Sequence, residues 1–301
     1  MEKRELVILG AGPAGLAFST EAAKRGYEVT LFDAANEIGG QFNVAKQVPG
    51  KEEFFETLRY FGTQIDATGV KLQLGKKVSA QDLTAAGFKH VVLATGVTPR
   101  IPEVAGVDHP KVVSYLQVLR DHVPVGDTVV IMGAGGIGFD VAEYLTQSGP
   151  SGAMDPAAFN SEWGIDPTYA NRGGVMPAQP EKPARKVFLL QRKDSKVGAG
   201  LGRTTGWIHR TQLAARGVAF VAGVQYDRID DAGLHVTVGE RSTVLAADTI
   251  VLATGQEPNR DLYAALQASG LDVRLIGGAD VAAELDAKRA IKQGTEVAAG
   301  L

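Results

Sequence analysis

Cysteine is absent from all 301 residues. A chain without thiols forms no disulfide, carries no dithiol redox pair and supplies no thiolate to an iron–sulfur cluster. Long apolar runs are absent too. No uncharged stretch reaches the roughly 18 residues of a spanning helix, and the apolar region 6–18 is broken by Gly10, Gly12, Pro13 and Gly15. Nor is there an excess of basic charge. Lys and Arg number 31 against 34 Asp and Glu, a net charge of −3, which gives no electrostatic footprint for nucleic acid or an anionic membrane. The start Met1-Glu2-Lys3-Arg4 leads directly into a strand pattern without the features of a secretory signal. A cytoplasmic location is therefore the expectation.

Hydrophobic residues make up 45% and charged residues 22%, the balance of a globular protein long enough for two domains with real cores. The 37 glycines are not scattered evenly. Gly10-Ala11-Gly12-Pro13-Ala14-Gly15 follows the apolar run Leu6–Leu9, and the next strand pattern, Val29–Phe32, ends in Asp33. Gly133-Ala134-Gly135-Gly136-Ile137-Gly138 follows Val129–Met132, and its next strand, Val187–Leu190, ends in Gln191-Arg192-Lys193. One such turn is weak evidence. Two, each set between a strand and a helix pattern, are strong.

In a turn of this kind the first glycine allows a tight bend and the second lets the backbone approach a pyrophosphate. The third lets helix and strand pack closely. The helix N-terminus then presents free N–H groups to the phosphates. Asp33 lies 18 residues beyond Gly15, where an acid accepts hydrogen bonds from ribose hydroxyls and repels a 2′-phosphate. The first turn thus suits FAD or NAD. At the second, Arg192, Lys193 and Lys196 suit the 2′-phosphate of NADP(H). A chain binding FAD and NADPH is a flavin-dependent reductase, and without cysteine its electrons must leave for an acceptor outside the polypeptide.

The expected fold is α/β, with two Rossmann-like dinucleotide-binding domains. An FAD domain, residues 1–108 and 249–301, is interrupted by an NADP domain, residues 109–248. A helix is predicted over 51–68 from Phe54, Leu58, Phe61 and Ile65, and a last helix from an Asp286 cap. Ala94-Thr95-Gly96 and Ala253-Thr254-Gly255 are near-duplicates that mark the crossings between domains. Residues 149–185 form an insertion rich in proline and glycine with little periodicity, read as a loop that docks or covers. It places Arg192 54 residues beyond Gly138 instead of about 20.

Several stretches carry a resemblance: GAGPAGLAF (10–18), EIGGQFNVAKQVPGKEEFFETLRY (37–60), HPKVVSYLQVLRD (109–121), GGIGFDVAEYL (135–145), EWGID (162–166), QRKDSKVGAGLGRTTGWIHR (191–210) and IGGADVAAELDAKRAIKQG (276–294). Together they span essentially the whole chain. It resembles the C-terminal FAD/NADPH half of bacterial NADPH-dependent 2,4-dienoyl-CoA reductase, within the trimethylamine dehydrogenase-like group. That implies an architecture like the pyridine nucleotide-disulfide oxidoreductases. Members of the group also carry a (β/α)8 barrel with FMN and a 4Fe-4S cluster, and neither the barrel nor the cluster cysteines are in this sequence.

The resemblance implies FAD contacts at Gly10, Gly12, Ala14, Gly15, Asp33, Gly40, Gln41, Val78, Gly96, Asp280, Arg289 and Ala290. Ala14 would meet the pyrophosphate, Gln41 the flavin, Val78 the adenine through its backbone, and Asp280 the ribityl chain. For NADP it implies Gly133, Gly135, Gly138, Arg192, Lys193 and Lys196. No catalytic side chain and no metal ligand is expected, because hydride transfer from nicotinamide to flavin is cofactor chemistry. Three readings stay open at this level. The chain is the electron-input module of such a reductase, with NADPH and an FMN/4Fe-4S barrel as partners. It is a stand-alone NADPH diaphorase or oxidase with a diffusible acceptor. Or it is an FAD-containing binding or sensing module.

Overall fold

A computed structural model describes residues 5–283 and 286–301. Its α/β architecture is built on two five-stranded parallel sheets. In the first, the strand order is Asp272–Leu275, His90–Leu93, Glu5–Leu9, Glu28–Phe32, Lys71–Gln73. From Leu6 to Leu9 the central strand is apolar without a break, because it is covered on both faces there. Leu6 and Ile8 join the cluster of Leu16, Phe18 and Phe61, while Val7 and Leu9 join that of Leu83, Leu93 and Leu266.

The second sheet repeats the plan in the order Val112–Ser114, Thr249–Leu252, Thr128–Met132, Lys186–Leu190, Ala219–Val221. Val130 and Met132 pack with Leu234 and Val236, which come from an antiparallel three-stranded sheet, Val224–Asp230, Gly233–Val238 and Arg241–Leu245. That sheet irregularly shifts register between Tyr226 and Arg228.

Two compact units result. One holds Met1–Val44, Glu53–Thr98 and Gln256–Leu301; the other holds Ala45–Glu52 and Pro99–Gly255. The boundaries expected at 108/109 and 248/249 differ from these. Strand Thr249–Leu252 pairs in parallel with Thr128–Met132, so it belongs to the second sheet and the return crossing comes after it. Residues 45–52, read as part of the first domain, group with the second unit.

The insertion is also more ordered than a loop. Asp155 caps a helix over Pro156–Trp163, ended by Gly164 in the left-handed region. Arg216, only 4% exposed, ties it down through Glu162 at 2.8 Å and Glu181 at 3.4 Å. Proline at the first helical position is compatible with a helix, so its proline content misled the loop reading. Trp163 lies in this helix and packs toward Phe159, with ring centroids 6.1 Å apart.

Within the first unit, the last helix, Ala287–Ala299, lies directly on helix Pro13–Lys24. Asp286 caps it by accepting from the Arg289 amide at 2.7 Å. Gly294 makes the approach possible, since a Cβ there would stand 2.4 Å from the Ala14 carbonyl oxygen. Gly294→Val is expected to push the two helices apart and cost about 1–3 kcal/mol, the usual range for overpacking. Urea unfolding of the FAD-free protein checks it, and an unchanged midpoint would contradict the contact.

Candidate nucleotide-binding sites

In the first unit, strand Glu5–Leu9 turns at Gly10, whose φ is +111°. A Cβ there would stand 2.4 Å from the Ala94 carbonyl oxygen, so the turn is pressed against the first Ala-Thr-Gly segment. Helix Pro13–Lys24 begins at once. Its N-cap is Gly12, which has no side chain to close the first amides, leaving donors and the positive dipole end free for an anion. A Cβ on Gly12 would meet nothing nearer than the Gly40 Cα at 3.9 Å. The space in front of the helix is a cradle, and it fits a pyrophosphate.

Asp33 stands at its mouth. Its carboxylate accepts from the Ala11 amide at 2.6 Å and the Ala35 amide at 2.7 Å. Each oxygen keeps a further lone pair for a ribose hydroxyl. The Lys76 amide donates to the Asp33 carbonyl at 2.9 Å, which brings the segment of Val78 alongside. The Val78 side chain itself is buried with Leu83 and Phe32, so only its backbone is left for a ligand. Gly40 leads into Gln41, the first residue of helix Gln41–Ala45. The Gly96 carbonyl accepts from the Asn259 amide at 2.9 Å.

Gln293 and Arg260, which the sequence did not single out, join the expected Asp280, Arg289 and Ala290 at this end of the unit. Gln293 accepts from the Gly277 amide at 2.8 Å and donates to the Asp280 carboxylate at 2.7 Å. Arg260 holds the Ala279 carbonyl at 2.6 Å and also the Asp280 carbonyl. Ala290 is buried in the first turn of the last helix. Arg289 donates to the Val281 carbonyl at 2.5 Å, yet its Nε is buried and has no acceptor among the described residues. A buried donor without an acceptor costs about 1–3 kcal/mol, and a bound flavin offers acceptors. The pair Gly277-Gly278 after a strand was the one signal that could have drawn attention here.

The second unit repeats the turn with different surroundings. Gly133 also has φ +111°, and a Cβ on it would stand 2.2 Å from the Ala253 carbonyl oxygen. Its amide donates to the Leu190 carbonyl at 3.0 Å. Helix Gly136–Thr146 is capped by Gly135, again without a side-chain bond. Nothing lies within 4 Å of a Cβ on Gly135 or Gly136. Gly138 packs the helix on the turn, its Cβ position only 1.9 Å from the Gly133 carbonyl oxygen. Strand Lys186–Leu190 then releases Arg192, Lys193 and Lys196, all exposed.

Tyr226 was missed by sequence reasoning. It sits on the antiparallel sheet, and its hydroxyl donates to the Leu190 carbonyl at 3.5 Å, the carbonyl that also accepts from the Gly133 amide. Burial pushes its hydroxyl up to about 12, against the opposing pull of the Arg192 charge.

The chain belongs to the pyridine nucleotide-disulphide oxidoreductase family, whose model matches residues 4–289. It is 27% identical over 287 residues to a metal reductase of Desulforamulus reducens, covering 91% of this chain and 41% of that protein. It is 28% identical over 282 residues to an NADH oxidase of Thermoanaerobacter brockii, covering 92% and 38%. Among solved structures, a 2-naphthoyl-CoA reductase aligns with a TM-score of 0.82 at 24% identity, over 100% of this chain and 40% of that one. The thioredoxin reductase of T. acidophilum aligns with a TM-score of 0.64 at 17% identity, over 99% and 98%. This chain is a flavin-dependent NAD(P)H oxidoreductase module. It spans only about two fifths of the length of the first two relatives. Among the described residues no helix is long and apolar enough to cross a membrane.

A buried ion pair braces the helix of the second turn. Glu143, 3% exposed, meets His209 Nδ1 at 2.5 Å. One turn earlier on the helix, Asp140 meets Lys51 at 2.6 Å. The Glu143 hydrogen bond raises the His209 pKa above its usual value, and burial opposes it. A raised folded-state pKa stabilises fully below the unfolded value, about 6.5, and the contribution fades as pH rises through the folded value. His209→Ala is expected to cost about 1–3 kcal/mol near pH 6, because Glu143 loses its partner in a buried place. The gap from wild type should narrow at alkaline pH. Urea unfolding at several pH values reads this, and a gap that widens with pH would contradict the pairing.

Proposed function

We propose that this chain passes a hydride from NADPH to a bound FAD. The observation that carries the reading is the asymmetry between two otherwise matching turns. The first has a carboxylate, Asp33, pinned at its mouth by the Ala11 and Ala35 amides. The second has Arg192, Lys193 and Lys196 exposed where the next strand ends. A carboxylate favours ribose hydroxyls and disfavours a 2′-phosphate, whereas guanidinium and ammonium groups do the reverse.

When bound, FAD would supply the two-electron acceptor for the hydride of NADPH. The residues bind and orient. Gly10, Gly12, Ala14 and Gly15 form the turn for the FAD pyrophosphate, with Gly40 and Gln41 beside it and Asp33 on the ribose. Val78 and Gly96 contribute backbone, and Asp280, Arg289 and Ala290 lie at the flavin end. Gly133, Gly135 and Gly138 hold the NADPH pyrophosphate.

The electrons leave for an acceptor outside the chain. We infer that the acceptor is a barrel carrying FMN and a 4Fe-4S cluster, in a reductase of the 2,4-dienoyl-CoA reductase type. Two observations support this: the curated relatives are much longer than the chain, and the 2-naphthoyl-CoA reductase shares its fold along the full length.

Three measurements test the reading. Asp33→Ala should weaken FAD binding by about 1.5–3 kcal/mol, the worth of hydrogen bonds to a charged acceptor, as followed by flavin fluorescence. Arg192→Ala should cost a similar amount of NADPH binding and leave NADH nearly unchanged. Equal losses would make Arg192 a structural residue. With NADPH, the chain alone should reduce ferricyanide and leave 2,4-dienoyl-CoA intact. Loss of the dienoyl absorbance at a matching rate would place a substrate site within these residues and overturn the module reading.

A further inference from the structure

We infer that Gln191 is a positioning residue, one that shapes the loop 192–196 into a receptor for a phosphate monoester. The inference rests on the NADPH reading and extends it from the cationic side chains to the backbone beneath them. Gln191 is itself clamped at both ends. Its amide donates to the Val221 carbonyl at 2.8 Å, and its carbonyl accepts from the Val224 amide at 3.0 Å. From that anchored position its side-chain Nε2 donates to the Lys193 carbonyl at 3.0 Å and to the Ser195 carbonyl at 2.9 Å. The Ser195 hydroxyl oxygen lies 3.2 Å away. The Gly223 amide fixes the Lys193 carbonyl a second time, at 2.9 Å.

The consequence follows from the geometry of the peptide unit. In a trans peptide the C=O and the next N–H point in opposite directions. With the carbonyls of Lys193 and Ser195 turned in toward Gln191, the amides of Asp194 and Lys196 are turned away from it. Neither amide donates a hydrogen bond among the described residues. Two backbone donors on one side of a loop can make charge-assisted hydrogen bonds to an anion, and the same loop carries the exposed Arg192, Lys193 and Lys196. The loop contains one acid, Asp194, so its cations outnumber its anions three to one. The side chain of Gln191 touches no phosphate in this scheme. It sets the direction of the donors that do.

The test uses the full chain with FAD bound, and two probes that differ only in the 2′-phosphate: adenosine 2′,5′-bisphosphate and adenosine 5′-monophosphate. Affinities are read by calorimetry. Gln191→Met keeps the length of the side chain and removes its donor, and Gln191→Glu keeps the shape and puts an acceptor against two carbonyls. Each is expected to weaken bisphosphate binding about 5- to 30-fold, the worth of one or two hydrogen bonds. The monophosphate should change less than about twofold on the same grounds. Parallel losses for both probes, or no loss, would overturn the inference. Wild-type protein that binds the two probes equally would instead overturn the NADPH reading, so the two failures are distinguishable. A second readout needs no variant. In wild-type protein the Asp194 and Lys196 amide resonances should move with the bisphosphate and stay nearly still with the monophosphate. Amides that respond alike to both probes would contradict the proposed orientation.

Discussion

The close approach of two backbones, made twice, is the constraint on which the rest depends. Gly10 presses on the Ala94 carbonyl and Gly133 on the Ala253 carbonyl, each at a distance that no Cβ tolerates. The contact fixes where each strand ends and where each helix begins. It also explains why Ala-Thr-Gly occurs twice in the sequence, since each copy forms the wall behind one glycine turn. With the wall in place, Gly12 and Gly135 can cap their helices without a side chain and leave the first amides open. A serine or aspartate cap would stabilise the helix by only a few tenths of a kcal/mol over glycine, and it would also fill the space a phosphate needs. The missing cap favours binding over local stability.

The two glycine turns then differ in the charge around them and not in their backbone. In the first, Asp33, the carboxylate proposed for the ribose, is already engaged with the turn through the Ala11 amide, so the turn and the acid are held as one piece. In the second, the cations stand on a loop whose Lys193 and Ser195 carbonyls accept from the Gln191 side chain, and the Tyr226 hydroxyl donates to the Leu190 carbonyl at the end of the preceding strand. On the proposed reading, selection between nucleotides rests on few residues set on two matching turns. The brace of Glu143 with His209 and of Asp140 with Lys51 keeps the second helix in place without entering the nucleotide cradle.

Much of this was legible in the sequence. The glycine turns, the alternation of strand and helix, the Asp286 cap and the stripe of Phe54, Leu58, Phe61 and Ile65 are local patterns, and local patterns survive folding. The insertion was misread because proline and glycine normally signal irregular chain. Here Pro156 opens a helix, Gly164 closes it, and the buried Arg216 ties it down from 54 residues beyond Glu162. The roles of Gln293, Arg260, Tyr226 and Gln191 were not legible, since each depends on a partner brought close by tertiary structure. No spacing rule links Gln293 to Gly277, or Tyr226 to Leu190. The boundary near Thr249 was placed early for a related reason, because nothing in a short apolar strand says which sheet it joins.

The central claim, that this chain is a two-nucleotide electron-input unit which takes hydride from NADPH onto FAD, is tested most directly by anaerobic titration. Purified protein loaded with FAD is titrated with NADPH while the oxidised-flavin absorbance is followed, and the experiment is repeated with NADH. The absorbance is expected to be lost stoichiometrically with NADPH, and more slowly with NADH at the same concentration. Flavin that stays oxidised under excess NADPH would contradict the claim and leave FAD as a structural or sensing ligand.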